Sequence, residues 1–248
     1  MGYLHTFKSL KAENKVYFFN YNKDPFFFGI YRKIALLICP LIIRLNPSLI
    51  SFISLLLGFA GLIGSVFYEI KINYIMYFFF LSFILDFSDG LIARYTNKSS
   101  FFGRFIDGLF DTLVFGFIHI TFLNYLIALE DYLFNINFYY LAILLLPIQH
   151  LILDRFSALA RWCNKLNDND DIQPYVRNLY LQKFTFFSFD LQQLCMLFLF
   201  FSNFINEKLM IEIFFIVSFL TSFVTIILYI YLSRKFFLKT SNPKRNDD

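Results

Sequence analysis

The sequence predicts an all-α integral membrane protein, with six transmembrane helices preceded by an amphipathic interfacial helix and with both termini in the cytoplasm. Hydrophobic residues make up 58% of the 248 residues and charged residues only 16%, whereas about 25% of a soluble domain is charged. Several apolar segments reach the roughly 20 residues that a helix needs to cross a bilayer. The mean hydropathy of +0.59 agrees with this, so a water-soluble globule is excluded.

The interfacial helix is predicted at residues 26–45, after a polar segment at residues 1–25. Three basic side chains lie among its apolar residues, and Pro40 interrupts the run. These features favour a helix that lies on the cytoplasmic surface of the membrane. The alternative is a seventh span, which would disturb the distribution of basic residues described below.

The six spans are predicted within residues 46–235, which we treat as one membrane domain, and residues 236–248 form a basic C-terminal tail. The first span, Ser48 to Tyr68, and the last, Ile213 to Ser233, carry no charge. The four spans between them begin near Tyr74, Arg104, Phe138 and Phe184.

Lysines and arginines are distributed unevenly around these spans. All but two of the 22 basic residues lie before the first span, in the connections after the second and fourth spans, or in the C-terminal tail. The exceptions are Lys71 and Lys208. Because basic connections stay on the cytoplasmic side, this distribution favours six spans with both termini in the cytoplasm.

Four aspartates interrupt the second and third spans. Asp86 and Asp89 are three residues apart, and Asp107 and Asp111 are four apart, so each pair lies on one helical face. A carboxylate at the centre of a membrane helix costs about 2.5–3.5 kcal/mol. Water-exposed helix ends would explain the first pair, but not the spacing of all four. The short connection at residues 95–102 makes the helices antiparallel neighbours, so we expect the four carboxylates to converge.

Small residues and one arginine accompany the aspartates. Gly90, Ala93 and Gly103 share the faces of the aspartates and leave room for a ligand against the backbone. Four converging carboxylates need positive charge, and divalent cations with oxygen ligands supply it. Two Mg²⁺ ions would balance the aspartates, and Arg94 would reach a phosphate group. The pattern therefore predicts a site for metal ions and a diphosphate.

The order D-x2-D-G-x2-A-R-x8-G-x3-D-x3-D, from Asp86 to Asp111, resembles the signature of the CDP-alcohol phosphotransferase family at all eight of its fixed positions. The six-span layout after an amphipathic helix is also similar to that family. Upstream, the stretch that opens the first span is similar to the family's Pro-Asn-x-x-Thr. It departs from that stretch in having Ser48 in place of Asn and Ser51 in place of Thr.

The resemblance implies transfer of a substituted phosphate group from a CDP-alcohol to an acceptor alcohol, with release of CMP, in the biosynthesis of phospholipids or related phosphodiesters. It implies a CDP-diacylglycerol or soluble CDP-alcohol donor, Mg²⁺ or Mn²⁺ as the metal with two ions, and a homodimer; no nucleic acid is expected as a partner. The active site would face the cytoplasm, and a bacterial inner membrane is the expected location. The implied metal ligands are Asp86, Asp89, Asp107 and Asp111. The implied contacts to the nucleotide and diphosphate are Ser51, Gly90, Ala93, Arg94, Ser100 and Gly103.

The resemblance also gives Asp111 the role of the base that takes the proton of the acceptor alcohol. The acceptor itself stays open, because residues 107–116 are similar to branches that use serine, inositol phosphates or glycerol phosphates. Arg104, Arg155 and Arg161 are candidates for binding a phosphorylated acceptor, and topology anchors are the alternative. The roles of Asp190, His119 and His150 also stay open.

Two other classes of protein use intramembrane aspartates. Membrane prenyltransferases resemble this chain in their aspartate clusters, but they usually have two separated clusters and more spans. A small cation transporter would need polar residues across the full depth of the membrane, whereas here the acidic residues gather toward one side. Metal-dependent release of CMP from a CDP-alcohol would separate the three interpretations.

Overall fold

The computed structural model describes residues 3–13, 25–68, 70–130, 133–166, 179–201 and 206–240. Within these ranges the chain forms eight α-helices and no strand, which confirms the all-α prediction. The helices are α1 (Tyr3–Glu13), α2 (Phe26–Ile42), α3 (Pro47–Phe67), α4 (Ile72–Tyr95), α5 (Phe101–Leu129), α6 (Ile136–Leu166), α7 (Leu179–Phe200) and α8 (Glu207–Thr240).

Five of these helices are long and apolar enough to cross a membrane, which supports an integral membrane protein. In the described part of the chain the candidate spans are Pro47–Phe67, Ile72–Tyr95, Phe105–Leu129, Ile136–Leu153 and Glu207–Arg234. They correspond to five of the six predicted spans. The remaining predicted span begins near Phe184 within the 22-residue helix α7, which is not among these five. The count of six therefore stays a prediction.

The helix termini around residues 46–51 and 95–103 are fixed by local hydrogen bonds. Helix α3 begins with Asn46, whose side chain accepts from the Ser48 N–H at 3.2 Å, and Pro47 occupies the first turn. Helix α5 begins in the same way, because Ser100 Oγ accepts from the Gly103 N–H at 2.9 Å. Such caps satisfy amide groups that have no partner within the helix.

The C-terminus of α4 is closed by a left-handed residue. Asn97 has φ 56°, and the Lys98 N–H donates to the Ala93 carbonyl at 2.9 Å. Such a turn satisfies carbonyl groups at the end of the helix and reverses the chain within a few residues. The following helix, α5, therefore begins beside the end of α4, as the short connection predicted.

Helix α3 packs closely on α4 and α5 through small residues. Ser54 and Ser82 bond reciprocally, each hydroxyl donating to the other residue's carbonyl, at 2.9 and 2.8 Å. A Cβ atom at Gly58 would lie only 3.0 Å from Val114 Cγ2, and one at Gly61 would lie 3.2 Å from the Phe79 ring. Small residues allow such close approach of membrane helices, and this packing fixes the three helices that carry the site.

Helix α1 lies inside the N-terminal segment that the sequence analysis described only as polar. Its Leu10 is fully buried, and the Tyr3 hydroxyl donates to the Leu37 carbonyl of α2 at 2.8 Å. Leu10 joins a buried cluster with Leu36 and Cys39 of α2 and Ile92 of α4. The helix was not anticipated because so few of its residues are apolar and buried.

The chain divides into two compact units. The first contains residues 1–133 and 189–214, and the second contains residues 134–188 and 215–248. The first unit carries the four aspartates. In the second unit the rings of Tyr139 and Phe215 pack edge to face at 5.1 Å, and the Ser222 hydroxyl donates to the Gln149 side chain at 2.7 Å.

Candidate active site

Three carboxylates from two helices meet at one point. Asp86 and Asp89 lie on successive turns of α4, and Asp107 lies in the second turn of α5. One carboxylate oxygen from each lies within 4.8 Å of the others. Asp89 is buried, with 5% of its surface exposed. The spacing of three residues on α4 therefore places its two carboxylates on the face that meets α5.

Asp111 is one turn beyond Asp107 and approaches the cluster from the side of Asp86. Its side chain lies within hydrogen-bonding reach of Asp86, but it is not part of the compact group of three oxygens. Asp107 is also within hydrogen-bonding reach of Asp86. The structure thus brings all four predicted aspartates together, with Asp111 beside Asp86 but outside the compact group of three oxygens.

A serine of α3 completes the surroundings of Asp89. The buried Ser51 hydroxyl donates a hydrogen bond to Asp89 Oδ2, and it also lies 3.1 Å from the Pro47 carbonyl of its own helix. A hydrogen bond of this kind fixes the orientation of a carboxylate and leaves its other oxygen available. The resemblance assigns Ser51 to the nucleotide site, and its bond to Asp89 was not anticipated.

A pocket of about 290 Å³ opens beside the aspartates. All six residues that the resemblance assigns to the nucleotide and diphosphate line this pocket, and Asp89 and Asp107 line it too. The lining residues are Pro47, Ser48, Ser51, Asp89, Gly90, Ala93, Arg94, Lys98, Ser99, Ser100, Gly103 and Asp107. Helices α3, α4 and α5 and the connection between α4 and α5 therefore share one cavity.

Two of the lining residues are glycines, which have no side chain to fill the pocket. A Cβ atom at Gly90 would lie 3.4 Å from the Arg94 guanidinium, and a Cβ atom at Gly103 would lie 3.1 Å from Ser100 Oγ. Larger side chains at these positions would displace the arginine or the capping serine. The glycines thus allow a ligand to approach the backbone of both helices, as the sequence analysis expected.

The pocket combines the carboxylates with two basic side chains. Arg94 lies against Gly90 and is close enough to Asp89 and Asp107 to interact electrostatically with both. Lys98 follows the left-handed Asn97 and lines the outer part of the pocket with an exposed side chain. Lys98 was missed by the sequence analysis, although its place between Arg94 and Ser100 was a signal. Basic groups beside carboxylates suit a bound polyanion.

The donor set fits a divalent cation. Three carboxylate oxygens within 4.8 Å of one another are hard ligands of the kind that Mg²⁺ and Mn²⁺ prefer. The Ser51 hydroxyl donates a hydrogen bond to one of these carboxylates, that of Asp89. The arrangement can therefore bind metal ions next to a diphosphate in the adjoining pocket.

Among the three arginines predicted to bind the acceptor, Arg155 is the one whose side chain the structure describes. Arg155 lies on α6 in the second compact unit and has an exposed side chain. The side chains of Arg104 and Arg161 lie outside the described residues. His119 is fully buried on α5, where its Nδ1 lies 2.7 Å from the Phe115 carbonyl and its ring lies 4.8 Å from that of Phe214.

Comparison with known proteins identifies a family for this chain. A family model described as CDP-alcohol phosphatidyltransferase matches residues 44–227, which is most of the chain. No curated protein matches the chain. The matched range begins just before α3 and includes the four aspartates and every residue that lines the pocket.

Proposed function

The chain belongs to the CDP-alcohol phosphatidyltransferase family, and we propose that it transfers a phosphatidyl or similar group from a CDP-alcohol donor, either CDP-diacylglycerol or a soluble CDP-alcohol, to an acceptor alcohol. The observation that carries this proposal is the pocket in which the fixed residues of the sequence pattern adjoin the aspartates. Family membership makes the protein a transferase, and its apolar helices make it an integral membrane protein. The substrates and the roles of individual residues are the proposal.

The donor would bind with its cytidine diphosphate in the pocket. Arg94 and Lys98 would face the phosphates, and the fork of the guanidinium suits two phosphate oxygens. Ser100 accepts a hydrogen bond from the Gly103 N–H, which leaves its hydroxyl proton to be donated to the ligand. Gly90, Ala93 and Gly103 would allow the nucleotide to lie against the backbone.

Asp86, Asp89, Asp107 and Asp111 would hold two Mg²⁺ or Mn²⁺ ions. Bound there, the ions would neutralise charge on the diphosphate and polarise the phosphoryl group. The contribution of the chain is to fix the ligands. Asp89 is oriented by Ser51, while Asp86 and Asp107 lie within hydrogen-bonding reach of each other on neighbouring helices.

The transfer step needs a base, and Asp111 is our candidate. The oxygen of the acceptor alcohol forms a bond to the phosphorus that carries the lipid or polyol, and the bond from that phosphorus to the CMP oxygen breaks. The alcohol proton passes to the Asp111 carboxylate, and CMP leaves with the bonding electrons. Asp111 suits this role because it is set apart from the group of three oxygens and does not line the nucleotide pocket.

We propose that the site faces the cytoplasm. The basic residues concentrate in the segments that the six-span arrangement, with α7 as the fifth span, assigns to the cytoplasm. The pocket lies at the start of α3 and α5 and the end of α4, and the six-span arrangement would assign these helix ends to the cytoplasmic side. In a bacterium this would be the inner side of the cytoplasmic membrane. A homodimer is also expected from the family.

For the acceptor we propose a chemical class, a small alcohol, and no single compound. A serine, an inositol phosphate or a glycerol phosphate would fit the family, and a phosphorylated acceptor would need basic groups. We propose that at least one of Arg104, Arg155 and Arg161 binds it, with Arg155 as our first choice. Guanidinium groups bind phosphate with better geometry than lysines do.

The experiment is a screen of the purified protein for CMP release. CDP-diacylglycerol and soluble CDP-alcohols serve as donors against a set of alcohols, with and without Mg²⁺. Metal-dependent CMP release that needs one of the alcohols supports the proposal. Release of inorganic diphosphate from a prenyl diphosphate would instead favour a prenyltransferase, and cation flux into liposomes without CMP release would favour a transporter.

A further inference from the structure

Asp190, whose role the sequence leaves open, binds the first residues of α2. Its Oδ2 accepts from the Phe26 N–H at 2.9 Å, and its Oδ1 accepts from the Phe27 N–H at 3.0 Å. The residue before the helix, Pro25, provides no side-chain cap. A carboxylate at a helix N-terminus is favourable because the amide groups there lack partners and carry partial positive charge. Helix α7 therefore supplies the cap that α2 lacks.

A second bond joins the same two helices one turn further on. The Tyr31 hydroxyl donates to Gln193 Oε1 at 2.5 Å, and both side chains are buried. Gln193 Nε2 is also buried and has no hydrogen-bond partner among the described residues. A buried amide group without a partner lowers stability. We therefore attribute the presence of a glutamine at position 193 to its bond with Tyr31 and not to a gain in overall stability.

The other contacts of α2 reach the segment between two of the metal-site aspartates. The ring of Phe87 lies 5.0 Å from that of Phe28 and 5.8 Å from that of Tyr31, and the Arg32 guanidinium lies 5.8 Å from its centre. The next residue, Ser88, has its carbonyl 3.6 Å from Cys39 Sγ. Phe87 and Ser88 are the residues that separate Asp86 from Asp89, so α2 supports the backbone that sets their spacing.

We propose that Asp190 is a positioning residue for the metal centre, which acts by holding α2 against Phe87 and Ser88. This inference rests on the proposed function of the aspartates. Metal sites need their ligands held to within about 0.5 Å. Without the Asp190 carboxylate, the first turn of α2 loses both acceptors, and Phe28 is no longer fixed against Phe87. We therefore expect the affinity for metal ions to fall while the nucleotide pocket keeps its shape.

The test measures Mn²⁺ binding to the purified full-length protein by the paramagnetic resonance signal of free Mn²⁺. Asp190→Ala should raise the Kd on the order of tenfold, as loss of a group that supports a metal ligand does. Asp190→Asn keeps one acceptor oxygen and should have a smaller effect. The matched control is Ser188→Ala, because Ser188 is buried on the same helix and bonds to the Phe184 carbonyl of that helix; it should leave the Kd unchanged.

A second measurement separates positioning from general loosening. At saturating Mn²⁺, Asp190→Ala should keep the wild-type KM for the donor, although it needs more metal for half of its maximal activity. An equal change in the KM for the donor and in the Mn²⁺ concentration needed for half-maximal activity would overturn the inference. If Asp190→Ala does not fold, the Kd for Mn²⁺ is measured on Asp190→Asn and Tyr31→Phe instead. An unchanged Kd in both variants would overturn the inference.

The two proposals fail in different ways. Wild-type protein that binds no Mn²⁺ would overturn the proposed metal site, and the positioning role with it. Wild-type protein that binds Mn²⁺, together with a folded Asp190→Ala variant that binds it equally well, would overturn the positioning role alone.

Discussion

The Ser51 hydroxyl of α3 donates a hydrogen bond to the Asp89 carboxylate of α4. This bond ties a helix that carries none of the aspartates to the cluster that the other two helices form. Because Asp89 also lines the nucleotide pocket, the serine links the proposed metal site to the proposed donor site.

Replacing Ser51 with alanine should weaken metal binding. The carboxylate would lose the donor that fixes its orientation, so we expect about tenfold more Mg²⁺ to be needed for half-maximal activity. Ser51→Thr keeps the hydroxyl and should restore most of the affinity. The measurement is the Mg²⁺ dependence of CMP release.

Ser54→Ala is the matched control for this experiment. Ser54 lies one turn along α3 and bonds to Ser82 rather than to an aspartate. Its loss should lower stability by about 1 kcal/mol and leave the Mg²⁺ requirement unchanged. If Ser51→Ala and Ser54→Ala behave alike, Ser51 has no special role at the metal site.

Asp111→Asn should separate binding from turnover. The amide cannot take the proton of the acceptor, whereas Asp86, Asp89 and Asp107 still offer three carboxylates within 4.8 Å. We expect the rate of CMP release to fall by about 10²–10⁴-fold, the usual contribution of a general base. Binding of CDP-alcohol, measured by calorimetry, should stay close to wild type. Normal turnover of this variant would assign the base to another residue.

Gly58→Ala should destabilise the packing of α3. The added methyl group would lie 3.0 Å from Val114 Cγ2, and overpacking of this kind costs about 1–3 kcal/mol. Gly116→Ala is the control, because a Cβ atom there meets nothing within 4 Å among the described residues. Thermal unfolding in detergent should show a lower Tm for Gly58→Ala than for Gly116→Ala. The reverse order would contradict the packing described for these helices.

Arg155→Ala tests the proposed acceptor site. If the guanidinium binds the head group of the acceptor, the KM for the acceptor should rise while the KM for the CDP-alcohol stays nearly unchanged. Steady-state kinetics with each substrate varied in turn measures both values. An equal effect on both substrates, or on neither, would return this exposed arginine to the role of a topology anchor.

The spacing of the aspartates was sufficient to predict that they come together. Residues three or four apart share a helical face. The short connection between Tyr95 and Phe102 makes α4 and α5 neighbours. The bond between Ser51 and Asp89 could not be predicted, because it depends on how α3 is rotated against α4. That rotation is decided by close contacts such as the one at Gly58, which one sequence does not reveal.

The contributions of Lys98 and of α1 were missed for local reasons. Lys98 reaches the pocket because Asn97 adopts a left-handed conformation, which asparagine tolerates but does not require. Helix α1 buries only a narrow face, with Thr6 and Leu10 as its buried residues, so its apolar pattern was too short to recognise. The cap that Asp190 provides to α2 joins residues more than 160 positions apart and leaves no local signal in the sequence.

The most direct test of the proposed function is CMP release from CDP-diacylglycerol, with a mixture of candidate alcohols, before and after removal of divalent cations. We predict that chelation abolishes release by the wild-type protein, that added Mg²⁺ or Mn²⁺ restores it, and that Asp107→Asn abolishes it even at high metal concentration. CMP release that survives exhaustive chelation, or that proceeds at the wild-type rate in Asp107→Asn, would contradict the assignment of the aspartate cluster as the metal centre of a CDP-alcohol phosphatidyltransferase.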